Sequence, residues 1–215
     1  MTADADVTLL FDKPKRAAGV VFILAHGAGG HLGDPLLVDV AAALKALGHG
    51  VARFNFAYRD AGRRAPDRAP VLEATWRSVI ARVWRASPRA TLVIGGKSMG
   101  GRMATHLAAQ GAPLAGLLLL GYPLHPPKQL EKLRDAHLGD IRVPALFVQG
   151  TRDPLCDLKL MKRALKKMGE RATLHVVVGG DHSLVVPKKS GRARADVIAE
   201  IAATIEGWLD ASRIR

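Results

Sequence analysis

One cysteine, Cys156, occurs in 215 residues. No disulfide can close within the chain and no cysteine-based zinc site can form, so a reducing compartment is the default expectation. Long apolar runs are missing as well. The longest, Gly19 to Ala25 and Leu114 to Leu120, fall far short of the ~20 residues a membrane helix needs. The first residues, Met1-Thr2-Ala3-Asp4-Ala5-Asp6, are acidic and lack the apolar stretch of a secretory signal. These absences predict a cytoplasmic protein with no membrane association. Repeats, linkers and low-complexity tracts are also absent, and neither the P-loop nor the dinucleotide-binding glycine spacing occurs. Nothing in the sequence calls for a metal or another cofactor. Acidic residues are scarce: 19 Asp and Glu against 32 Lys and Arg leave a formal charge of +13. Such a charge favours anionic surfaces without naming any partner.

What is present is a core. Hydrophobic residues make up 48% and charged residues 24%, which excludes a disordered or fibrous chain. The length suits one domain spanning residues 1–215. Val20 to Leu24 is apolar throughout, as in a parallel strand buried on both faces. Further strands are expected at Val7–Phe11 (an edge), Val51–Phe56, Thr91–Gly95, Gly116–Leu120, Val143–Gln149 and Thr173–Val178. Helical periodicity marks residues 35–47, after Asp34-Pro35 and before Gly48, together with 71–86, 99–110, 157–168 and 193–209. Ala57 to Pro70, rich in arginine and proline, reads as a loop. Strands alternating with helices predict an α/β fold with a doubly wound, mostly parallel sheet. Sites in such sheets lie beyond the carboxyl ends of the strands.

The loops after the strands carry the chemistry. After Thr91–Gly95 comes Gly96-Lys97-Ser98-Met99-Gly100-Gly101, a G-x-S-x-G pattern between a strand and a helix. That context makes a nucleophile elbow, with Ser98 on a tight turn and glycines where a Cβ would clash. The plain alternative is a glycine-rich turn that only packs a helix close to a strand. A serine needs a base beyond it in the chain. His106 falls in the following helix, His175 in the last strand and His137 in a helical-looking segment. His182, in Gly179-Gly180-Asp181-His182-Ser183, follows the last strand directly and is the candidate. Asp153, in Gly150-Thr151-Arg152-Asp153-Pro154, is the acid that would hold the imidazole's tautomer and stabilise its cation. Asp157 looks like a helix N-cap, and Asp181 like a solvated turn residue. An oxyanion hole needs two backbone N–H groups. Met99 supplies one; Ala28, in His26-Gly27-Ala28-Gly29-Gly30, is the choice for the other, with Gly27 second.

HGAGG at 26–30, GKSMGG at 96–101, GTRDP at 150–154 and GGDHS at 179–183, in that order, resemble the α/β-hydrolase superfamily. With Leu120-Gly121-Tyr122-Pro123-Leu124-His125-Pro126-Pro127, the chain is similar to a branch of small hydrolases. That branch is related to dienelactone hydrolase and to the testis-expressed and NSL-complex hydrolase-like proteins. The resemblance implies an α/β-hydrolase fold and a Ser-His-Asp triad. Dienelactone hydrolase has cysteine at the elbow; this chain has Ser98, so that activity is not implied. Larger lipases insert a lid before the acid, whereas here only Tyr122 to Arg142 intervenes. A lidless, shallow site is expected, with Gly27, Tyr122, His125 and the Arg59–Arg68 loop as candidate lining.

The expected activity is hydrolysis of a small-molecule ester or thioester through an acyl-enzyme on Ser98. An amidase or peptidase on the same fold is not separated from this by the sequence, because the triad serves all of them. The rival of another class is an inactive hydrolase-like fold turned basic binding module for nucleic acid or a protein complex. The basic residues, however, are spread over several helices and loops without an RNA-binding aromatic pattern. A binding module also has no reason to keep all four catalytic pieces.

Overall fold

The computed structural model describes residues 6–13 and 19–215. Seven strands form one sheet in the order β1-β3-β2-β4-β5-β6-β7. They are β1 (Leu9–Asp12), β2 (Val20–Ala25), β3 (Gly50–Phe54), β4 (Thr91–Lys97), β5 (Gly116–Leu120), β6 (Ala145–Gly150) and β7 (Ala172–Val177). All pairings are parallel except that of β1, which lies antiparallel to β3 at the edge.

The apolar strands are buried on both faces because helices cover both. Val21, Ile23 and Ala25 of β2 join one core; Val20, Phe22 and Leu24 join the other. The first core receives Trp76, Val79 and Val83 from α3 (Ala69–Ala86), Met103 and Leu107 from α4 (Met99–Ala109), and Met161 and Leu165 from α5 (Leu158–Leu165). The second receives Leu37, Val40 and Leu44 from α1 (Pro35–Ala46) and Ile201, Ile205 and Trp208 from α6 (Arg194–Ala211). This is a doubly wound, mostly parallel α/β sheet.

Three expectations are corrected in detail. The stretch from Ala57 to Pro70 is not all loop. Buried Phe56 and Tyr58 anchor a helical turn, α2 (Ala57–Asp60). The next helix already begins at Ala69, because proline fits the first helical turn, where its missing N–H has no acceptor to serve. The helix expected over 157–168 ends at Leu165 and continues as a 3₁₀ stretch, Lys166–Arg171, with Gly169 in a non-helical conformation. Strand and helix ends elsewhere move by a few residues, since fraying ends carry little periodic signal.

Between β5 and β6 the described chain forms only one short 3₁₀ turn, Leu138–Asp140, so no lid covers the carboxyl ends of the strands. Chain order reverses between β2 and β4, the position at which doubly wound sheets open a crevice. No helix among the described residues is long and apolar enough to cross a membrane.

Candidate active site

Ser98 sits between β4 and α4 with φ 52° and ψ −119°, a strained conformation for a residue with a Cβ. The strain is held by close packing. A Cβ on Gly100 would lie 2.5 Å from the Ala25 carbonyl oxygen and 2.6 Å from that of His26, so only glycine lets α4 start this close to β2. The elbow is pinned at its other side by Lys97, whose Nζ lies 2.8 Å from Asp34 Oδ2. Asp34 Oδ1 in turn accepts the Leu36 N–H at the start of α1. One carboxylate therefore ties the turn after β4 to the helix that follows the β2 loop.

The structure brings together the three side chains the sequence singled out. Ser98 Oγ lies 2.8 Å from His182 Nε2, and His182 Nδ1 lies 2.8 Å from Asp153 Oδ2. The geometry requires Nδ1–H to donate to the carboxylate, leaving Nε2 to accept from the serine hydroxyl. The Asp153 side chain is fully buried, whereas that of His182 is 24% exposed. A buried carboxylate needs partners, and Asp153 has three. Besides His182, Gln149 Nε2 donates to Oδ2 at 2.6 Å and the Leu155 N–H donates to Oδ1 at 2.8 Å. Gln149 is itself fixed, accepting the Tyr122 N–H at 2.9 Å.

The His182 loop reaches the rim of the sheet by passing over Gly121. That glycine has φ +64°, and a Cβ there would meet the His182 carbonyl oxygen at 2.6 Å. Asp181 is more than a solvated turn residue: its Oδ1 accepts the N–H groups of Ser183 at 2.8 Å and Val185 at 3.0 Å, which shapes the turn carrying His182. Asp157 caps α5 as expected, accepting the Leu160 N–H. Cys156 is buried, and burial, then Asp153 and Asp157, push its thiol pKa up.

Across the crevice, Gly27 packs against Ser98; a Cβ on it would lie 3.3 Å from that of the serine. Ala28 lines the same cleft as Ser98 and Met99. The Gly29 N–H donates to the Tyr58 hydroxyl at 3.2 Å and the Gly30 N–H to the Gly27 carbonyl at 3.0 Å. Met99 opens α4, so its N–H has no acceptor within the helix.

The loop is locked from beneath by His26, which the sequence reading passed over. Its Nδ1 lies 2.7 Å from the Gly27 carbonyl, and its Nε2 accepts the Phe56 N–H at 3.2 Å. That pairing defines a neutral Nδ1–H tautomer. Burial first, and then Arg59, lower its pKa from 6.5 to about 4. The unfolded chain therefore takes up this proton before the folded one. The stabilising contribution is complete above pH 6.5 and is lost as pH falls toward 4. Nitrogen NMR of His26 at about pH 5.5 is expected to show the neutral Nδ1–H ring; a doubly protonated ring would contradict the lock.

Two candidate lining residues are corrected. Tyr122 is buried and its hydroxyl donates to the Arg134 carbonyl at 2.6 Å. His125 is also buried, with Nδ1 on the Pro126 carbonyl and Nε2 accepting the Asp157 N–H. Both brace loops under the rim. The residues that face the cleft instead include Pro66 and Asp67 from the arginine-rich stretch, together with Arg102, Pro123, Arg134 and Leu155. Arg102 carried a signal, lying one helical turn beyond Ser98. Arg134 carried none, because its position depends on how the β5–β6 segment folds back.

A family model described as an alpha/beta hydrolase domain matches residues 18–210. The chain belongs to the alpha/beta hydrolase family. An alpha-beta serine hydrolase homologue from Coxiella burnetii superposes with a TM-score of 0.70 at 20% identity, covering 92% of this chain and 89% of that one. A serine hydrolase without lid from Xanthomonas campestris gives 0.71 at 19% identity, covering 95% and 88%. Est1E from Butyrivibrio proteoclasticus, bound to ferulic acid, gives 0.76 at 13% identity, covering 97% and 96%. At these identities the likeness is one of fold, and the fold is that of a lidless alpha/beta hydrolase.

Proposed function

We propose that this hydrolase is a serine esterase that cleaves a carboxylic ester or thioester through an acyl-enzyme on Ser98. The observation that carries the reading is the unbroken relay from buried Asp153 through His182 to Ser98, with both links at 2.8 Å. Neutral His182 takes the hydroxyl proton as Ser98 Oγ attacks the carbonyl carbon. The N–H groups of Met99 and Ala28 hold the oxyanion. The imidazolium, stabilised by Asp153, gives the proton to the leaving alcohol or thiol. Water then attacks the acyl-enzyme with His182 again as base, and the acid product leaves Ser98 restored. Only the neutral imidazole of His182 can act as this base. Gln149 acts as a positioning residue, holding the carboxylate that holds the imidazole.

The lidless rim suits small substrates. Across a p-nitrophenyl ester series, acetyl to hexanoyl esters are expected to give kcat/KM at least about tenfold above the dodecanoyl ester. No rate jump is expected at the concentration where the long ester aggregates. A preference for the long chain with such a jump would contradict the reading, as would full activity in Ser98→Ala.

A further inference from the structure

The cleft in front of Ser98 has a volume of about 480 Å³. Much of its lining is apolar, from Leu72, Met99, Pro123 and Leu155. Two arginines, Arg102 and Arg134, stand within this surface. Arg102 lies in the first turn of α4, its N–H donating to the Ser98 carbonyl at 2.9 Å, and lines the same cleft as Ser98. Arg134 is fixed by its own backbone, whose N–H donates to the Leu124 carbonyl at 2.7 Å, and its Nη1 donates to the Pro123 carbonyl at 3.2 Å.

The acids that could neutralise this pair are committed elsewhere. Asp67, the carboxylate of the cleft, is 2.8 Å from Arg63. Asp135 is 2.8 Å from Lys167. Asp153 is held by His182, Gln149 and Leu155. Burial first, and then the charge of Arg134, push the pKa of Arg102 down; no carboxylate offsets them among the described residues. The Tyr122 phenol acts in the opposite sense, but burial raises its own pKa, so it stays neutral. Arginine remains charged even so. Two guanidinium groups within each other's field beside an apolar cleft cost electrostatic free energy. A bound anion removes that cost, and the planar guanidinium fork matches a carboxylate.

We propose that the substrate carries a carboxylate, held by Arg102 and Arg134 while its ester carbonyl lies at Ser98. The inference rests on the serine-esterase reading and adds the substrate class: half-esters of dicarboxylic acids, or esters of a carboxylate-bearing alcohol. Both share the anion and the apolar span between it and the carbonyl.

The test compares kcat/KM for matched ester pairs in two arms. One sets p-nitrophenyl hemiglutarate against p-nitrophenyl valerate, with the carboxylate on the acyl group. The other sets the butyrate ester of 5-hydroxy-2-nitrobenzoic acid against p-nitrophenyl butyrate, with the carboxylate on the leaving group. In one arm the anionic ester is expected to be favoured by about tenfold or more, the scale of a charge-assisted hydrogen bond. Raising NaCl to about 0.5 M should narrow the ratio. Arg102→Gln and Arg134→Gln should each bring it toward one, and the lysine variants should restore part of it. Because the neutral ester is the denominator, partial loss of folded protein cancels. If neither variant folds, the wild-type ratio and its salt dependence decide alone. Neutral preference in both arms overturns the proposal, as does a ratio that survives both glutamine substitutions. Ser98→Ala is run in parallel. Wild-type activity in that variant would sink the esterase reading and this inference with it; its inactivity, with no anionic preference in the wild type, sinks this inference alone.

Discussion

Ser98→Ala is expected to lower kcat for a short-chain p-nitrophenyl ester by about 10⁶-fold. No other nucleophile stands in for the hydroxyl. Lys97 is held by Asp34, and the Cys156 thiol is buried with its pKa pushed up. What survives is binding and the oxyanion donors, worth roughly 10³-fold over water. The thermal midpoint should barely move, since among the described residues the Ser98 hydroxyl bonds only His182. Initial rates and a melting curve on one preparation check both halves. Residual activity within tenfold of wild type would remove Ser98 from the reaction.

Asp153→Asn should cost about 10⁴-fold in kcat at neutral pH, with KM little changed. The Oδ2 atom accepts from both His182 Nδ1 and Gln149 Nε2. An amide cannot present an acceptor to both and also keep a negative charge. Either the imidazole adopts the wrong tautomer, with Nε2–H facing Ser98, or the cation formed during attack goes unstabilised. Substrate binding involves neither group, so the loss falls on turnover. Measuring kcat and KM separately distinguishes this from a collapsed cleft, which would raise KM. A loss under tenfold would show that Asp153 does not orient the base.

How much of this was legible beforehand follows from how local each signal is. The elbow was readable because its requirements sit within eleven residues, Thr91 to Gly101: an apolar strand, a serine between glycines, and a helix start. Asp153 and His182 could be singled out because each follows its strand directly and the strand order narrows the choice; the structure places both in one chain of hydrogen bonds with Ser98. The N-cap role of Asp157 was equally local. What failed depended on tertiary packing. Tyr122 and His125 occur in a distinctive run, but their polar atoms are spent on Arg134, Pro126 and Asp157 beneath the rim. Gln149 looked like the polar end of an apolar strand, and only the folded geometry reveals its bond to Asp153. His26 was read as part of a glycine-rich loop, because its partner Phe56 lies thirty residues away. Arg134 faces the cleft only because the β5–β6 segment turns back on itself, which no periodicity announces.

Mass spectrometry after treatment with a fluorophosphonate probe tests the central claim most directly. One stoichiometric adduct is expected, mapped to the peptide holding Ser98, and absent when His182 is replaced by alanine. An adduct confined to another residue, or none in the wild type at neutral pH, would contradict it.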